Sequence, residues 1–350
     1  MIGVRGGFSL RPVEDVEAFD AFVASHPYGH LYQGYGWGEV KRQGWVPWRY
    51  FLLGPDDIRR GAITLFERRT RLGTSFFYSP RGPCLDPHDG EAWTALGEAV
   101  NRFARMRRAA FWRLDPPWAE VDDPAPQYPR RSSPGWTFGG ILPLEVWHVP
   151  LDGDVLAGVR PNVRRLARRA AEAGVVFRAG GRPDVDWFYD RLAATAAEKG
   201  FAVRSRAFVA SFLATLAGRG QAELWMAERA GRPLGAALVT IFGRCAEGHY
   251  AAFTDDGERL SAHHALQVHL LCHLKERGIA VYDMGGIPLD PNLRRGIITF
   301  KSGFGGHLVK LAGEKDIVFQ RGAYLLAAAL EDAHYRSPAL RRVTSWLASR

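Results

Sequence analysis

In the first half of the chain the apolar and polar positions fall into four runs. GAITLFERR (61–69) and TSFFYSPRGP (74–83) are short and rich in β-branched and aromatic residues, which predicts two strands, the second ending in a Pro/Gly loop. GEAWTALGEAVNRFARMRR (90–108) carries its apolar residues at helical spacing, and AAFWRLDPP (109–117) reads as a strand ending at an acidic residue. The second half repeats this order. GAALVTIF (235–242) and GHYAAFTDDG (248–257) read as strands, SAHHALQVHLLCHLKERG (261–278) as a helix and IAVYDMGGIP (279–288) as a strand. Gly61, Tyr78 and Asp115 have counterparts in Gly235, Tyr250 and Asp283 about 170 residues later, far too long a period for a solenoid. The pattern reads as two domains of one α/β plan.

Between the halves, PAPQYPRRSSPGW (124–136) is a Pro/Ser-rich loop of the first domain, and the stretch 149–175 opens the second. Pro161 suits the first position of a helix, so a helix is expected from there. It is strongly basic, with Arg164, Arg165, Arg168 and Arg169 inside it and Arg160 just before. The tail 322–350 reads as two helices split at Pro338. The expected domains are residues 1–147, joined by the C-terminal helices 321–350, and residues 148–320. The strand-strand-helix-strand order resembles the acyltransferase fold called GNAT. The expectation is therefore two GNAT-like domains in tandem, each a mixed central sheet flanked by helices.

Composition agrees with a folded chain of this size. At 350 residues two domains are the default, and 47% apolar residues, with 11 tryptophans and 20 phenylalanines, fill two cores. No run of about 18 apolar residues exists to span a membrane. The start, MIGVRGGFSLRPV, lacks the apolar core of a signal peptide. Three scattered cysteines, Cys84, Cys245 and Cys272, give no disulfide framework, which suits a reducing cytoplasm. A net charge of +9 points to an acidic partner such as nucleic acid, a nucleotide or an anionic membrane surface, or to a composition inflated in arginine. Of 46 basic residues only six are lysines, at 41, 199, 275, 301, 310 and 315.

Several chemistries are missing. There is no P-loop, no G-x-G-x-x-G after a strand, no C-x-x-C pair and no serine-centred nucleophile motif. His269, Cys272 and His273 lie close on one helix without an evident fourth ligand, so they read as structural and no metal is expected. Acyl-CoA-binding GNAT proteins hold pyrophosphate on a glycine-rich loop at a helix N-terminus. The equivalent stretch, DDGERLSAHHAL (255–266), lacks that glycine spacing, and no CoA is expected.

Three stretches carry a more specific resemblance. HLYQGYGWGEVKRQGW (30–45) is similar to the Q-x-x-x-W-G-x-V-K-x-x-G-W opening of the Fem family. KGFAVRSRAFVASFL (199–213) resembles that family's G-F-x-V-R-S-x-x-Y-F segment. YDMGGIPLDPNLRRGIITFKSGFGGHLVKLAGEKDIVF (282–319) resembles its closing signature, and this block is the specific one. The family consists of non-ribosomal peptidyltransferases that use aminoacyl-tRNA to extend the peptidoglycan stem peptide, and its fold is two GNAT-like domains. No segment here is long enough for the helical hairpin that some members insert, so the chain resembles the compact form.

The resemblance implies roles at matched positions. Lys41 and Arg204 would hold the diphosphate of the acceptor, with Trp37, Phe208 and Tyr250 beside them as substrate-binding residues. Phe208 stands where the family usually has tyrosine and loses the hydroxyl; Tyr250 keeps it. Asp115 resembles an aspartate proposed as a general base, though an aspartate before Pro116 and Pro117 is also plain turn chemistry. Asp283 reads as a turn-former. Phe300 and Lys301 match the family's Phe-Lys pair, the ring for the tRNA 3′ end and the ammonium for catalysis. The reaction passes through a tetrahedral oxyanion, near which a compact ammonium stabilises developing charge by about 3 kcal/mol. Arginine's planar fork replaces a point charge poorly in a tight site. The glycines around Lys301, in GIITFKSGFGG (296–306), read as the rim of a cleft, with a hairpin rim as the plain structural alternative.

The expected protein is thus a cytoplasmic aminoacyltransferase, a monomer, possible at the inner face of the membrane. Its donor would be aminoacyl-tRNA and its acceptor a muramyl-pentapeptide, UDP-linked or lipid-linked. It would use no cofactor and no metal. Two alternatives stay open: a Fem-like N-acyltransferase acting on another amine, and an RNA-binding module without catalysis.

Overall fold

The computed structural model describes residues 1–71, 73–131, 137–199 and 203–336. They form two compact units. The first contains Met1–Glu145, Pro288–Asp290 and the chain from Lys310; the second contains Val146–Ile287 and Pro291–Val309.

The chain enters the first unit through β1 (Ile2–Gly3), β2 (Ser9–Pro12), α1 (Val16–Ser25) and α2 (Tyr35–Lys41). There follow β3 (Val46–Leu53), β4 (Arg59–Arg69), β5 (Ser75–Pro80), β6 (Cys84–Leu85), α3 (Gly90–Arg107) and β7 (Ala109–Asp115). Asp89 caps α3 by accepting from Ala92 N–H, and the helix ends at Arg108 in the left-handed region. Its buried residues Ala92, Ala95, Leu96, Ala99, Val100 and Phe103 form one stripe, packed with Ile63, Leu65, Phe77 and Trp112 from the sheet.

The second unit begins with β8 (Glu145–Pro150), α4 (Val155–Gly158), α5 (Pro161–Glu172), β9 (Val175–Ala179), α6 (Arg182–Lys199) and α7 (Arg206–Ala217). It continues through β10 (Ala222–Arg229), β11 (Arg232–Phe242), β12 (Cys245–Phe253), α8 (Asp255–Arg259) and α9 (Ala262–Glu276). β13 (Val281–Gly286), α10 (Pro291–Lys301) and β14 (His307–Lys310) complete it. α5 begins at Pro161 as its sequence requires. Leu266, Leu270, Leu271 and Leu274 of α9 are fully buried against β11 and β13 residues such as Val239 and Tyr282. The chain then returns to the first unit as β15 (Lys315–Val318) and α11 (Arg321–Arg336).

The sheet orders are β1-β2-β3-β4-β5-β7-β15, with β6 on β4, and β14-β8-β13-β12-β11-β10-β9. Within each, the repeated plan is explicit. β4 pairs antiparallel with β5 and β5 parallel with β7 across α3; β11 pairs antiparallel with β12 and β12 parallel with β13 across α9. Both sheets are mixed, as the element order predicts.

Two sequence expectations change. Residues 310–320, assigned to the second domain, belong to the first unit, because β15 pairs antiparallel with β7 from Lys315↔Leu114 to Val318↔Phe111. The glycine-laced segment is not a hairpin or loop rim at Lys301: α10 runs through Gly296 and ends on that lysine, and only Ser302–Phe304 and the two following glycines turn. The second C-terminal helix, with Arg341, Arg342, Trp346 and Leu347, lies outside the described residues, as do residues 132–136 and 200–202. Among the described residues no helix is long and apolar enough to cross a membrane.

Candidate active site

In the second unit the site grows from the parallel pair β12–β13. The two strands are in register at Cys245↔Val281, Ala246↔Tyr282 and Glu247↔Asp283, and pairing stops there although both strands continue. On its other side β13 passes from Asp283↔His148 to Gly286↔Val146, so the ladder to β8 skips Met284 and Gly285. Asp283 fixes this irregularity, its Oδ1 accepting from Gly285 N–H at 2.7 Å. Gly285 has φ +86°, open to glycine and strained for other residues. Asp283 is the turn-former its sequence context suggests.

Lys301 reaches this irregularity from the end of α10. Its Nζ donates to Gly285 O at 2.7 Å and to Gly286 O at 2.8 Å, and the residue is only 8% exposed. Burial lowers its pKa to about 8, while the nearby Asp283 carboxylate works in the opposite direction. Two of three ammonium N–H groups are therefore taken, leaving one donor. Two carbonyls converging on one nitrogen suit lysine rather than the spread nitrogens of a guanidinium. The following glycines serve the backbone. A Cβ on Gly306, at φ +78°, would lie 2.1 Å from His148 O.

Phe300, next to Lys301, is half-buried. Its ring contacts His264 edge-on at 5.3 Å and Phe304 at 5.1 Å, and lies nearly parallel to His263 at 6.0 Å. Burial, with His263 adjacent, lowers the pKa of His264 to about 4, so that ring is neutral at physiological pH. His263 and His264 were not singled out in the sequence; two adjacent histidines opening a helix were the available signal.

Arg204, Phe208 and Tyr250 also come together. Ser205 caps α7 by accepting from Phe208 N–H, which puts Arg204 just outside the helix and Phe208 in its first turn. The guanidinium carbon of Arg204 sits 5.6 Å from the Phe208 ring centre. Tyr250 lies on β12, paired with Leu238 of β11 and beyond the last residue that pairs with β13. Burial raises its pKa and the charge of Arg204 lowers it, so its hydroxyl stays protonated. Next to it His249 is drawn down to about 4 by burial, and its Nε2 lies 2.9 Å from Thr240 Oγ1.

The first unit holds Lys41, Trp37 and Asp115. In α2, Gly36, Gly38 and Val40 face inward, leaving Trp37 and Lys41 one turn apart on the other face. A Cβ on Gly38 would lie 2.0 Å from Arg49 Nη2, which explains the glycine after Trp37. Lys41 Nζ stands 5.8 Å from the Trp37 ring centre and 5.9 Å from that of Trp45. Arg68 packs over the same Trp45 ring at 5.5 Å, with its Nε buried and lacking a hydrogen-bond acceptor. Trp45 was legible as the last residue of the quoted motif; nothing local marked Arg68. Gln33 is structural: its side chain donates to Pro80 O at 2.8 Å and accepts from Thr64 N–H at 2.8 Å, joining β4 to β5.

Asp115 is no turn cap. It is fully buried, Oδ1 accepts from Arg81 Nη1 at 3.1 Å, and Oδ2 has no hydrogen-bond partner. Burial raises its pKa to about 6 against the pull of Arg81. Arg81 itself holds a left-handed φ of +46°. Glu314, 1% exposed, is raised to about 8 by burial, with Arg113 opposing and Asp115 and Asp316 adding to the rise. In contrast to β12–β13, the pair β5–β7 shifts register between Ser75 and Phe77 and then stays paired to Pro80↔Asp115. Among the described residues no three metal-type side chains converge; His273 instead meets Glu223 at 3.0 Å and His269 stacks on Phe177 at 4.9 Å.

Two mixed sheets of one plan in a single chain, one opening at its parallel pair, define a tandem GNAT-fold protein of the acyl-transferring class. Residues 157–293 match the acetyltransferase (GNAT) domain model and residues 15–131 the FemAB family model. Over residues 15–131 the chain is similar to the Fem family. It is 23% identical over 385 residues to the lipid II:glycine glycyltransferase of Staphylococcus saprophyticus, covering 88% of this chain and 92% of that one. The corresponding enzyme of Staphylococcus aureus strain USA300 is 22% identical over 389 residues at the same coverages. Among solved structures, FemX superposes with a TM-score of 0.81 at 21% identity over 90% of this chain and 99% of that one. A tandem GNAT protein of the clavulanic acid pathway superposes with a TM-score of 0.51 at 13% identity, over 89% and 98%.

Proposed function

We propose that this enzyme transfers an amino acid from aminoacyl-tRNA to the stem-peptide amine of a muramyl-peptide precursor, UDP-linked or lipid-linked. The observation that carries the reading is the buried ammonium of Lys301 at the opening between β12 and β13, with the half-buried Phe300 ring adjoining it in sequence. The glycyltransferase relatives act, by name, on lipid II, which supports the acceptor class.

In the reaction the acceptor's amine attacks the ester carbonyl, a C–N bond forms, and the carbonyl oxygen becomes an oxyanion. Collapse breaks the C–O bond to the ribose; the departing ribose oxygen gains a proton and the nitrogen loses one. The remaining N–H of Lys301 stabilises the oxyanion. Phe300 offers a ring to the terminal base. Arg204 with Phe208 and Tyr250 in the second unit, and Lys41 with Trp37 in the first, supply cations and rings for the acceptor's phosphates and sugar. Asp115, a carboxylate with a pKa of about 6 and a free oxygen, has the character of a general base. No CoA is required. The first turn of α8 carries Asp255, Asp256 and Glu258, a poor setting for a pyrophosphate.

Mass spectrometry tests this directly. Incubating the enzyme with a mixture of charged tRNAs and either UDP-muramyl-pentapeptide or lipid II should add one or more amino-acid masses to an acceptor. No increment on either acceptor overturns the proposal.

A further inference from the structure

The arginines of α5 are crowded on one helix and differ from several others of the second unit. Arg178, Arg191, Arg206, Arg259 and Arg277 are each paired with a carboxylate. Arg165, Arg168 and Arg169 are exposed, and no ion pair joins them to an acidic side chain among the described residues. Arg164, also exposed, donates to Leu156 O at 2.8 Å. Four guanidinium groups thus crowd residues 164–169, fewer than two turns of one helix, and like charges one turn apart destabilise it. A face that carries this repulsion without internal neutralisation calls for an external anion.

Its location says which. Arg160, immediately before α5, donates to Thr299 O at 2.8 Å and to Ser302 O at 3.1 Å, and its own N–H reaches Gly303 O at 2.9 Å. Val163 packs on Gly303, where a Cβ would lie 2.9 Å from its methyl group. The basic helix is therefore latched to the segment bearing Phe300 and Lys301. Its opposite stripe, including the buried Val163 and Ala170, is occupied in the core with Leu266 and Leu270 of α9. A helix lying in a lipid interface needs that apolar face for the membrane. An arginine face with its apolar side spent fits a phosphate backbone, which guanidinium forks engage bidentately.

We infer that the exposed arginine face of α5 binds the phosphate backbone of the donor RNA beyond its aminoacylated end. This rests on the proposed use of aminoacyl-tRNA. The test compares wild type with the Arg165→Gln/Arg168→Gln/Arg169→Gln variant, which keeps helix propensity and relieves repulsion, so its melting temperature should not fall. Two donors are used: full-length aminoacyl-tRNA and a 3′-aminoacylated CCA trinucleotide. The KM for charged tRNA should rise at least about tenfold, while the KM for the trinucleotide stays within about twofold. The slope of log affinity for uncharged tRNA against log salt should drop by roughly 2–3. Unchanged KM and unchanged slope overturn the inference. If wild type transfers from no charged tRNA, the donor reading falls, and the uncharged-tRNA slopes still decide the arginine face separately. Vesicles of phosphatidylcholine with phosphatidylglycerol complete the comparison: loss of vesicle binding with unchanged tRNA binding would assign the face to membrane and overturn it.

Discussion

The ammonium of Lys301 lies 2.7 Å from the carbonyl oxygen of Gly285, beyond the point where β13 ceases to pair with its parallel neighbour. If the charged form is the one that works, Lys301→Met should lower kcat by about 10²–10³-fold, with acceptor KM little changed. Lys301→Arg should not restore the rate. Because burial brings the pKa to about 8, the ammonium predominates below that pH and is lost above it. The transfer rate should therefore fall as pH rises through about 8; a rate that stays flat well into the alkaline range removes the ammonium from the mechanism.

Asp283 acts on the same lysine through geometry and charge. Asp283→Asn keeps an oxygen acceptor for Gly285 N–H and removes the charge that raises the Lys301 pKa. The alkaline limb of the pH–rate profile should move to lower pH while the plateau rate changes little. A limb that does not move shows that the aspartate serves the turn alone.

Lys41 and Arg68 share the Trp45 ring, and Arg68 Nε is buried without an acceptor. Lys41→Met and Arg68→Met should each raise the KM for the muramyl-peptide and leave the donor KM unchanged. The double variant should be non-additive, since the two cations share a neighbour. Steady-state kinetics with the acceptor varied will decide; an effect confined to donor KM contradicts the assignment.

Stability should depend on pH through Glu314. Its folded pKa of about 8 lies above the ordinary 4.5, so the native state holds a proton the unfolded chain releases in that interval. The sign follows: stability falls as pH rises from about 5 to about 8. Asp115, raised to about 6 from 3.8, contributes in the same direction at lower pH. Urea midpoints measured at the two ends of the interval should differ less in Glu314→Gln than in wild type. Equal losses would mean that Glu314 is already ionised beside Arg113.

The sequence by itself determined the elements and their repetition, because side-chain periodicity is a local property: the apolar stripe of α3, Pro161 at the start of α5, and the two strand-strand-helix-strand runs. It also marked Lys41, Arg204, Phe300 and Lys301, since each lies in a short motif. Tertiary structure alone decided what surrounds them. Arg81 reaches Asp115 across 34 positions, and β15 enters the first unit's sheet beside β7 after the chain has built the whole second unit. No local pattern encodes such pairings, and none could distinguish Gln33 as a buried clasp from a site residue. The same holds for Lys301. Its charge was visible from composition, but its two carbonyl acceptors come from a strand leaving its ladder, and the burial that lowers its pKa exists only once β8, β12, β13 and α10 have packed.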